Sequence, residues 1–146
     1  MALKVELKPN ERILIGESVI TNCNQRSWLL IQGASPILRE KDILTSKRAD
    51  TPAKRIYLAV QLMYTSRDPR EHHELYFALV RQIVEAAPST WPYVENINNQ
   101  ILMGNLYKAL KEVKKLIAYE EELVGNAQRD TDLQKRSKKN GKSARA

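Results

Sequence analysis

The chain has 146 residues, of which 42% are hydrophobic and 28% charged, so it can bury an ordinary core and is not globally disordered. Its one cysteine, Cys23, excludes an internal disulfide, and its longest apolar run, the six residues Leu75–Val80, is too short to span a bilayer. The net charge is +7, but residues 126–146 carry seven basic and two acidic groups, which leaves the other 125 residues at only +2. The overall charge therefore does not by itself argue for a polyanion partner.

The opening MALKVELKPNERILI contains acidic residues and no apolar h-region, so no secretory signal is expected there. With the lone cysteine, this fits a reduced, cytoplasmic location. The length suits one domain, or a small module joined to a larger one.

The first 44 residues read as strands. Leu3, Val5 and Leu7 alternate with Lys4, Glu6 and Lys8, the period of a half-buried strand. Arg12–Ile15 and Ser18–Thr21 flank Gly16-Glu17, and a glycine at the first position of a two-residue connection suits a type II′ hairpin. Asn22–Gln25 is a second turn cluster. Trp28–Ile31 is apolar on both faces and is expected to be a central strand. Gly33–Pro36 is a break, and Ile37–Arg39 starts a short fifth strand. Five such strands predict a small barrel or a strongly curved sheet over residues 1–46. A module this small rarely stands alone, so it must pack on the rest of the chain or pair with a second copy, and a homodimer is a real possibility.

Residues 51–125 read as a bundle of about four helices. Thr51-Pro52 supplies an N-cap and a proline at N1. The stretch Ile56–Ser66 is uncharged, with Ile56, Ala59, Val60, Met63 and Tyr64 on one stripe, and is expected to be the buried helix. Asp68-Pro69-Arg70-Glu71 repeats the start signal, with Glu71 at the capping-box position. The helix it opens carries Leu75, Leu79, Ile83 and Ala86 and stops before Pro88. A third helix places Val94, Ile97 and Ile101 together and ends near Gly104. Asn105 can cap a fourth, with Leu106, Leu110, Val113 and Ile117 as its stripe and Gly125 as its C′ residue. The segment 126–146 holds one large apolar residue, Leu133, and is expected to be a disordered basic tail. The architecture is thus α+β.

No enzyme signature is present. His72-His73 point about 100° apart on a helix and chelate poorly, and no His-x-x-x-His or Glu-x-x-His spacing exists. Cys23 has no histidine near it in sequence to act as a base. No Gly-rich phosphate loop or nucleophile elbow occurs. No catalytic residue, metal site, cofactor, small-molecule substrate or membrane partner is expected. Residues 45–67, in contrast, carry five basic groups and one acid. Arg39 stands at the end of the fifth strand before Glu40-Lys41, with Lys47-Arg48 and Lys54-Arg55 following. Such groups suit phosphate and base-edge contacts, although a solvated, ion-paired rim has the same composition. Trp28, Tyr57 and Tyr64 lie in apolar stretches and read as core rather than as stacking platforms. Asn98-Asn99-Gln100 read as a solvated face or a partner-binding one.

Several blocks in order, MALKVELKPNERILIGESVITN, ASPILREKDILT, ADTPAKRIYLAVQLMY, HELYFALVRQIVEAAPST, INNQIL and LYKALKEVKKLIAYEEEL, resemble the FlbT family of flagellum biosynthesis regulators over residues 2–124. The resemblance implies a post-transcriptional regulator that associates with the 5′ untranslated leader of flagellin mRNA, with FlaF as partner. Members of that family act in either direction, so the sign of the effect does not carry over. The basic tail extends past the usual end of the family. Residues 3–44, with NERILIGESVIT and PILREKDIL, also resemble the carbon storage regulator CsrA family, which implies a strand-swapped β-barrel dimer that binds mRNA leaders. Arg39, ahead of Glu40, falls on an RNA-contacting arginine of that family, and Lys8 falls on a basic position. Leu7 departs, because its position is basic there.

The combined reading is an RNA-binding regulator in which Arg39 makes a specific contact, Lys8 and Lys41 flank it, and Lys47, Arg48, Lys54 and Arg55 attract phosphate. The alternative is a protein-interaction adaptor whose helical half grips FlaF or a flagellar export component.

Overall fold

The computed structural model describes residues 2–145, with the side chains at 130, 132 and 134–145 excluded. Five strands come first: β1 (Ala2–Leu7), β2 (Arg12–Ile15), β3 (Ser18–Thr21), β4 (Ser27–Gln32) and β5 (Ile37–Arg39). Helices follow: α1 (Pro52–Thr65), α2 (His73–Ala86), α3 (Trp91–Leu102) and α4 (Leu106–Arg145). The α+β order is the expected one.

The strands form two antiparallel sheets rather than one continuous barrel. β1 pairs with β4, and β2 lies between β3 and β5. Gly16, at φ 59°, turns β2 into β3 through a two-residue connection, with Ile15 opposite Ser18. Between β1 and β2, Pro9 and Asn10 (φ 65°) fit the two central positions of a type II turn, which carries the chain from one sheet to the other.

Alternation decides what each sheet buries. Val5, Leu7 and Ile13 are buried between the sheets, with Leu29, Ile31 and Ile37 against them. The neighbours Leu14 and Leu38 point the other way, into the helical core. The β2 sheet is therefore a middle layer between the β1–β4 ribbon and the helices. The central position expected for Trp28–Ile31 is not what the fold uses. β4 pairs only with β1, and Trp28 and Leu30 are 60% and 65% exposed. Leu29 and Ile31 already fill the one inward face this strand has, so its other face stays outside, and Trp28 is not a core residue.

α1 is the buried helix, with Ile56, Val60 and Met63 fully enclosed. Removing each such side chain from water contributes roughly 1.5–3 kcal/mol. Thr51 caps it as expected, accepting a hydrogen bond from the Lys54 amide at 3.2 Å. Its own first turn has no acid, and Glu120 of α4 supplies one by accepting from the Ala53 amide at 2.9 Å.

The start signal at Asp68 works differently from expectation. Asp68 caps a short 3-10 turn, Pro69–His72, by accepting from the Arg70 amide at 3.1 Å, and α2 begins only at His73. The Asp68 amide donates to the Ser66 hydroxyl instead of Glu71, so no capping box forms. The Arg70 hydrogen bonds hold the Asp68 carboxyl below its ordinary range.

α4 packs with Ala109, Leu110, Val113 and Leu116 buried. Gly125 does not end it. The helical backbone continues to Arg145, because one glycine costs only about 1 kcal/mol and no proline follows. Leu133, the one large apolar residue of this continuation, is exposed. The side chains of the KRSKKNGKSAR ending lie outside the described residues.

One row of α1 side chains ties the layers together. Tyr57, Gln61 and Tyr64, spaced by four and three, share a face. Tyr57 donates to the Asp42 carbonyl at 2.5 Å and Tyr64 to the Ile37 carbonyl at 3.0 Å. Gln61 clamps Leu44 at both ends, accepting from its amide at 2.8 Å and donating to its carbonyl at 3.1 Å. The Asp42 carboxylate, almost wholly buried, pairs with Lys114 of α4.

Two outcomes are expected. Gln61→Leu leaves both Leu44 groups partnerless and should cost about 1–3 kcal/mol, read as a lower denaturant midpoint. Burial raises the phenols of Tyr57, Tyr64 and Tyr76 above their ordinary 10.0, with Asp42 adding to the rise at Tyr57. A raised folded value favours the neutral form, so this stabilisation is complete below pH 10 and lost as the pH climbs above it. Melting temperature followed by circular dichroism should be flat near neutrality and fall above that pH, less steeply in Tyr57→Phe.

Candidate nucleic-acid interface

Antiparallel succession brings the end of β1, the start of β2, the start of β4 and the end of β5 to one end of the β module. A cleft of about 770 Å³ opens there. Its basic lining is Lys8, Arg12, Arg26, Arg39, Lys41 and Arg48, and its acidic lining is Glu6, Glu11 and Glu40. Six cations against three carboxylates leave the cleft positive. Pro9, Asn10, Ile43 and Thr45 complete the wall, and no aromatic ring lines it.

Two backbone clamps build this geometry. The α1 row fixes residues 37–44, which carry Arg39 and Lys41. On the opposite side, the Asn22 side-chain amide donates to the carbonyls of Leu7 at 3.1 Å, Lys8 at 2.9 Å and Gln25 at 2.8 Å. One side chain thereby gathers the end of β1 and the approach to β4, and so sets Lys8 and Arg26 side by side. The Asn10 amide donates to the Cys23 carbonyl at 2.9 Å and closes the same corner.

Two of the carboxylates are spent on particular cations and the third on a backbone amide. Arg12 pairs with Glu40 at 3.7 Å and Arg26 with Glu6 at 3.2 Å, both at the surface. Glu11 accepts from the Lys8 amide at 2.8 Å. Arg39 reaches across to the Glu6 carbonyl at 3.4 Å, which steadies the guanidinium without neutralising it. Lys8, Arg39, Lys41 and Arg48 make no ion pair among the described residues. The site can therefore attract phosphate and offer a planar fork to a base edge. Stacking of bases inside it is not provided for.

The expected residues divide. Lys8, Arg39, Lys41 and Arg48 come together in the cleft. Lys47, Lys54 and Arg55 do not line it, and Lys54 pairs with Asp50 at 3.4 Å. Arg12 and Arg26 line it and were not picked out from the sequence. Their signal was available: both stand beside turns at the strand ends that alternate succession sends to one side.

The other candidates resolve simply. His73 lies edge-on to Phe77, and Cys23 is exposed in the turn before β4. No group of three metal-ligating residues occurs among the described residues. Asn98 accepts from the Tyr76 hydroxyl and so is not merely solvated. No helix is long and apolar enough to cross a membrane among the described residues.

The family model described as Flagellar protein FlbT matches residues 3–124. The Probable flagellum biosynthesis repressor protein FlbT 1 of Bradyrhizobium diazoefficiens is 66% identical over 126 residues, 86% of each chain. The corresponding protein of Rhodopseudomonas palustris strain TIE-1 is 55% identical over 124 residues, covering 85% of this chain and 98% of its own. The Flagellum biosynthesis repressor protein FlbT of Caulobacter vibrioides is 32% identical over 129 residues, 86% of this chain and 92% of its own. No solved structure matches the chain.

Asn22→Ala should lower stability by about 1–3 kcal/mol, because three carbonyls lose their shared donor. Amide exchange should accelerate at the β1–β2 and β3–β4 turns and stay unchanged in α1, which hydrogen–deuterium exchange reads directly.

Proposed function

The chain belongs to the FlbT family of flagellar proteins, and on that premise we propose that it regulates flagellin synthesis by binding the 5′ untranslated leader of flagellin mRNA. The relatives' printed names supply the regulatory role in flagellum biosynthesis. The observation that supports RNA as the ligand is the cleft, where Lys8, Arg39, Lys41 and Arg48 converge without ion-pair partners among the described residues. Arg39 is the residue for a specific contact, because its guanidinium is held at the rim and not consumed by a carboxylate. Lys8, Lys41 and Arg48 supply phosphate attraction. Lys47, Lys54 and Arg55 would add only a diffuse field, since they stand outside the cleft. The mechanism is occlusion or recruitment on the leader rather than catalysis, carried out in the cytoplasm.

A second reading rests on a different observation. α2 exposes Leu75 and Phe77, and the end of α3 exposes Leu102 and Met103. Such apolar side chains suit a protein partner, FlaF or an export component, with RNA effects indirect.

Salt separates the two. Full-length protein should prefer the leader over a shuffled RNA of equal length. With three phosphate contacts its affinity should fall by roughly 20-fold between 50 and 200 mM salt. Arg39→Ala should weaken leader binding by about 10-fold, with an unchanged melting temperature. Equal binding to both RNAs, or an Arg39→Ala affinity like the parent's, would move recognition to the apolar helical surface, whose protein contacts should barely respond to salt.

A further inference from the structure

Positive charge does not stop at the edge of the cleft. Lys41, in the 3-10 turn Glu40–Asp42, also lines a second hollow of about 130 Å³ against α4. There α4 contributes Tyr107, Lys111 and Lys114, which are spaced by four and three and so share one face of the helix. The one carboxylate in the hollow is that of Asp42, buried and already paired with Lys114. Lys41 and Lys111 make no ion pair among the described residues. A positive track therefore runs from the cleft across the turn and onto α4. The same line of the helix reaches Glu121 two turns after Lys114, and the track ends there.

The second hollow also has what the cleft lacks, an accessible aromatic ring. Tyr107 is 42% exposed. It leans on Tyr64, with ring centroids 5.9 Å apart, and Tyr64 is itself fixed by its bond to the Ile37 carbonyl. The Lys111 ammonium stands over the Tyr107 ring, 5.0 Å from its centroid. A braced ring, partly open to water and flanked by cations, suits an unpaired nucleobase and its phosphate. A cation over an exposed ring is held more weakly than a stacked base. The base can thus take the ring and release the ammonium to the adjoining phosphate.

We propose that the leader strand in the cleft continues over Lys41 onto α4, where Tyr107 stacks one base and Lys111 binds a phosphate. This rests on the reading of the cleft as the seat of the leader, and it adds the platform that recognition of unpaired bases uses. Arg39 reads a base edge at one end of the track and Tyr107 holds a base plane at the other. The ligand is then a single-stranded segment, because the bases of a duplex are already stacked on one another. An acidic protein on the same track would engage the lysines and leave Tyr107 unused.

The test is leader binding by the full-length protein, read by fluorescence anisotropy, in the parent and in Arg39→Ala, Tyr107→Leu, Tyr107→Phe and Lys111→Gln. Tyr107→Leu keeps an apolar body against Tyr64 and should weaken binding about 10-fold, whereas Tyr107→Phe keeps the ring and should bind like the parent. Lys111 makes a fourth phosphate contact, so the parent's loss of affinity between 50 and 200 mM salt becomes roughly 50-fold, and Lys111→Gln returns it to roughly 20-fold. All four variants should keep the parent's helical circular dichroism. Should Tyr107→Leu lose it, the salt response of Lys111→Gln, an exposed substitution, decides alone. A parent that binds the leader and is weakened by Arg39→Ala, yet is indifferent to Tyr107→Leu and Lys111→Gln, overturns the extension onto α4 and leaves the cleft in place. Tyr107→Phe as weak as Tyr107→Leu overturns stacking. A parent that binds leader and shuffled RNA equally overturns both readings.

Discussion

The structure depends on how one face of α1 meets the backbone of residues 37–44. Tyr57, Gln61 and Tyr64 are largely apolar side chains with a polar tip each. Their bodies join the helical core and their tips satisfy carbonyls and an amide of β5 and of the segment that follows it. Without them, that segment would bury unpaired backbone groups against an apolar helix, at a cost of roughly 1–3 kcal/mol for each group. The same contacts decide where Arg39 and Lys41 stand. Core packing and presentation of the basic rim are thus one set of interactions.

Much of this was legible in the sequence. Period-two alternation in Leu3–Leu7, the glycine turn at Gly16, the uncharged run Ile56–Ser66 and the Thr51-Pro52 start each have one cheap local solution, and the fold adopts it. Strand position was not legible. Trp28–Ile31 looks central because both faces are apolar, but that pattern equally describes a strand paired on one edge with its second face exposed. Helix ends were mixed. Gly125 resembles a stop only where a competing αL conformation gains something, and here the helix simply continues. Leu116 and Ala109 were missed because the stripe counted from Leu106 took only one line of a face that is two residues wide.

The cleft was half legible. Composition pointed to the basic run 45–67, yet of its five basic groups only Arg48 lines the site. Arg12 and Arg26 were hidden because they are far apart in sequence and neither belongs to a basic run. What gathers them is topology: successive antiparallel strands return every second turn to the same end. Local charge counting is blind to that, whereas counting turns is not. The three carboxylates also have a use. Glu40 and Glu6 neutralise Arg12 and Arg26 in place, Glu11 holds the Lys8 amide, and a short positive track is left, so the site is narrower in its charge than in its shape.

One feature of α4 has a bearing on how the protein is made. Lys114 holds Asp42, and Glu120 closes the start of α1 through the Ala53 amide, 72 and 67 residues away in sequence. During synthesis the β module leaves the ribosome long before either residue exists. At about 5–20 residues per second, several seconds separate the two events. Until then the segment carrying Arg39 and Lys41 has only the α1 row to hold it from the helical side. The Asp42 carboxylate gains its cation, and α1 its acidic cap, only when α4 arrives, so the support behind the basic rim is completed late in synthesis.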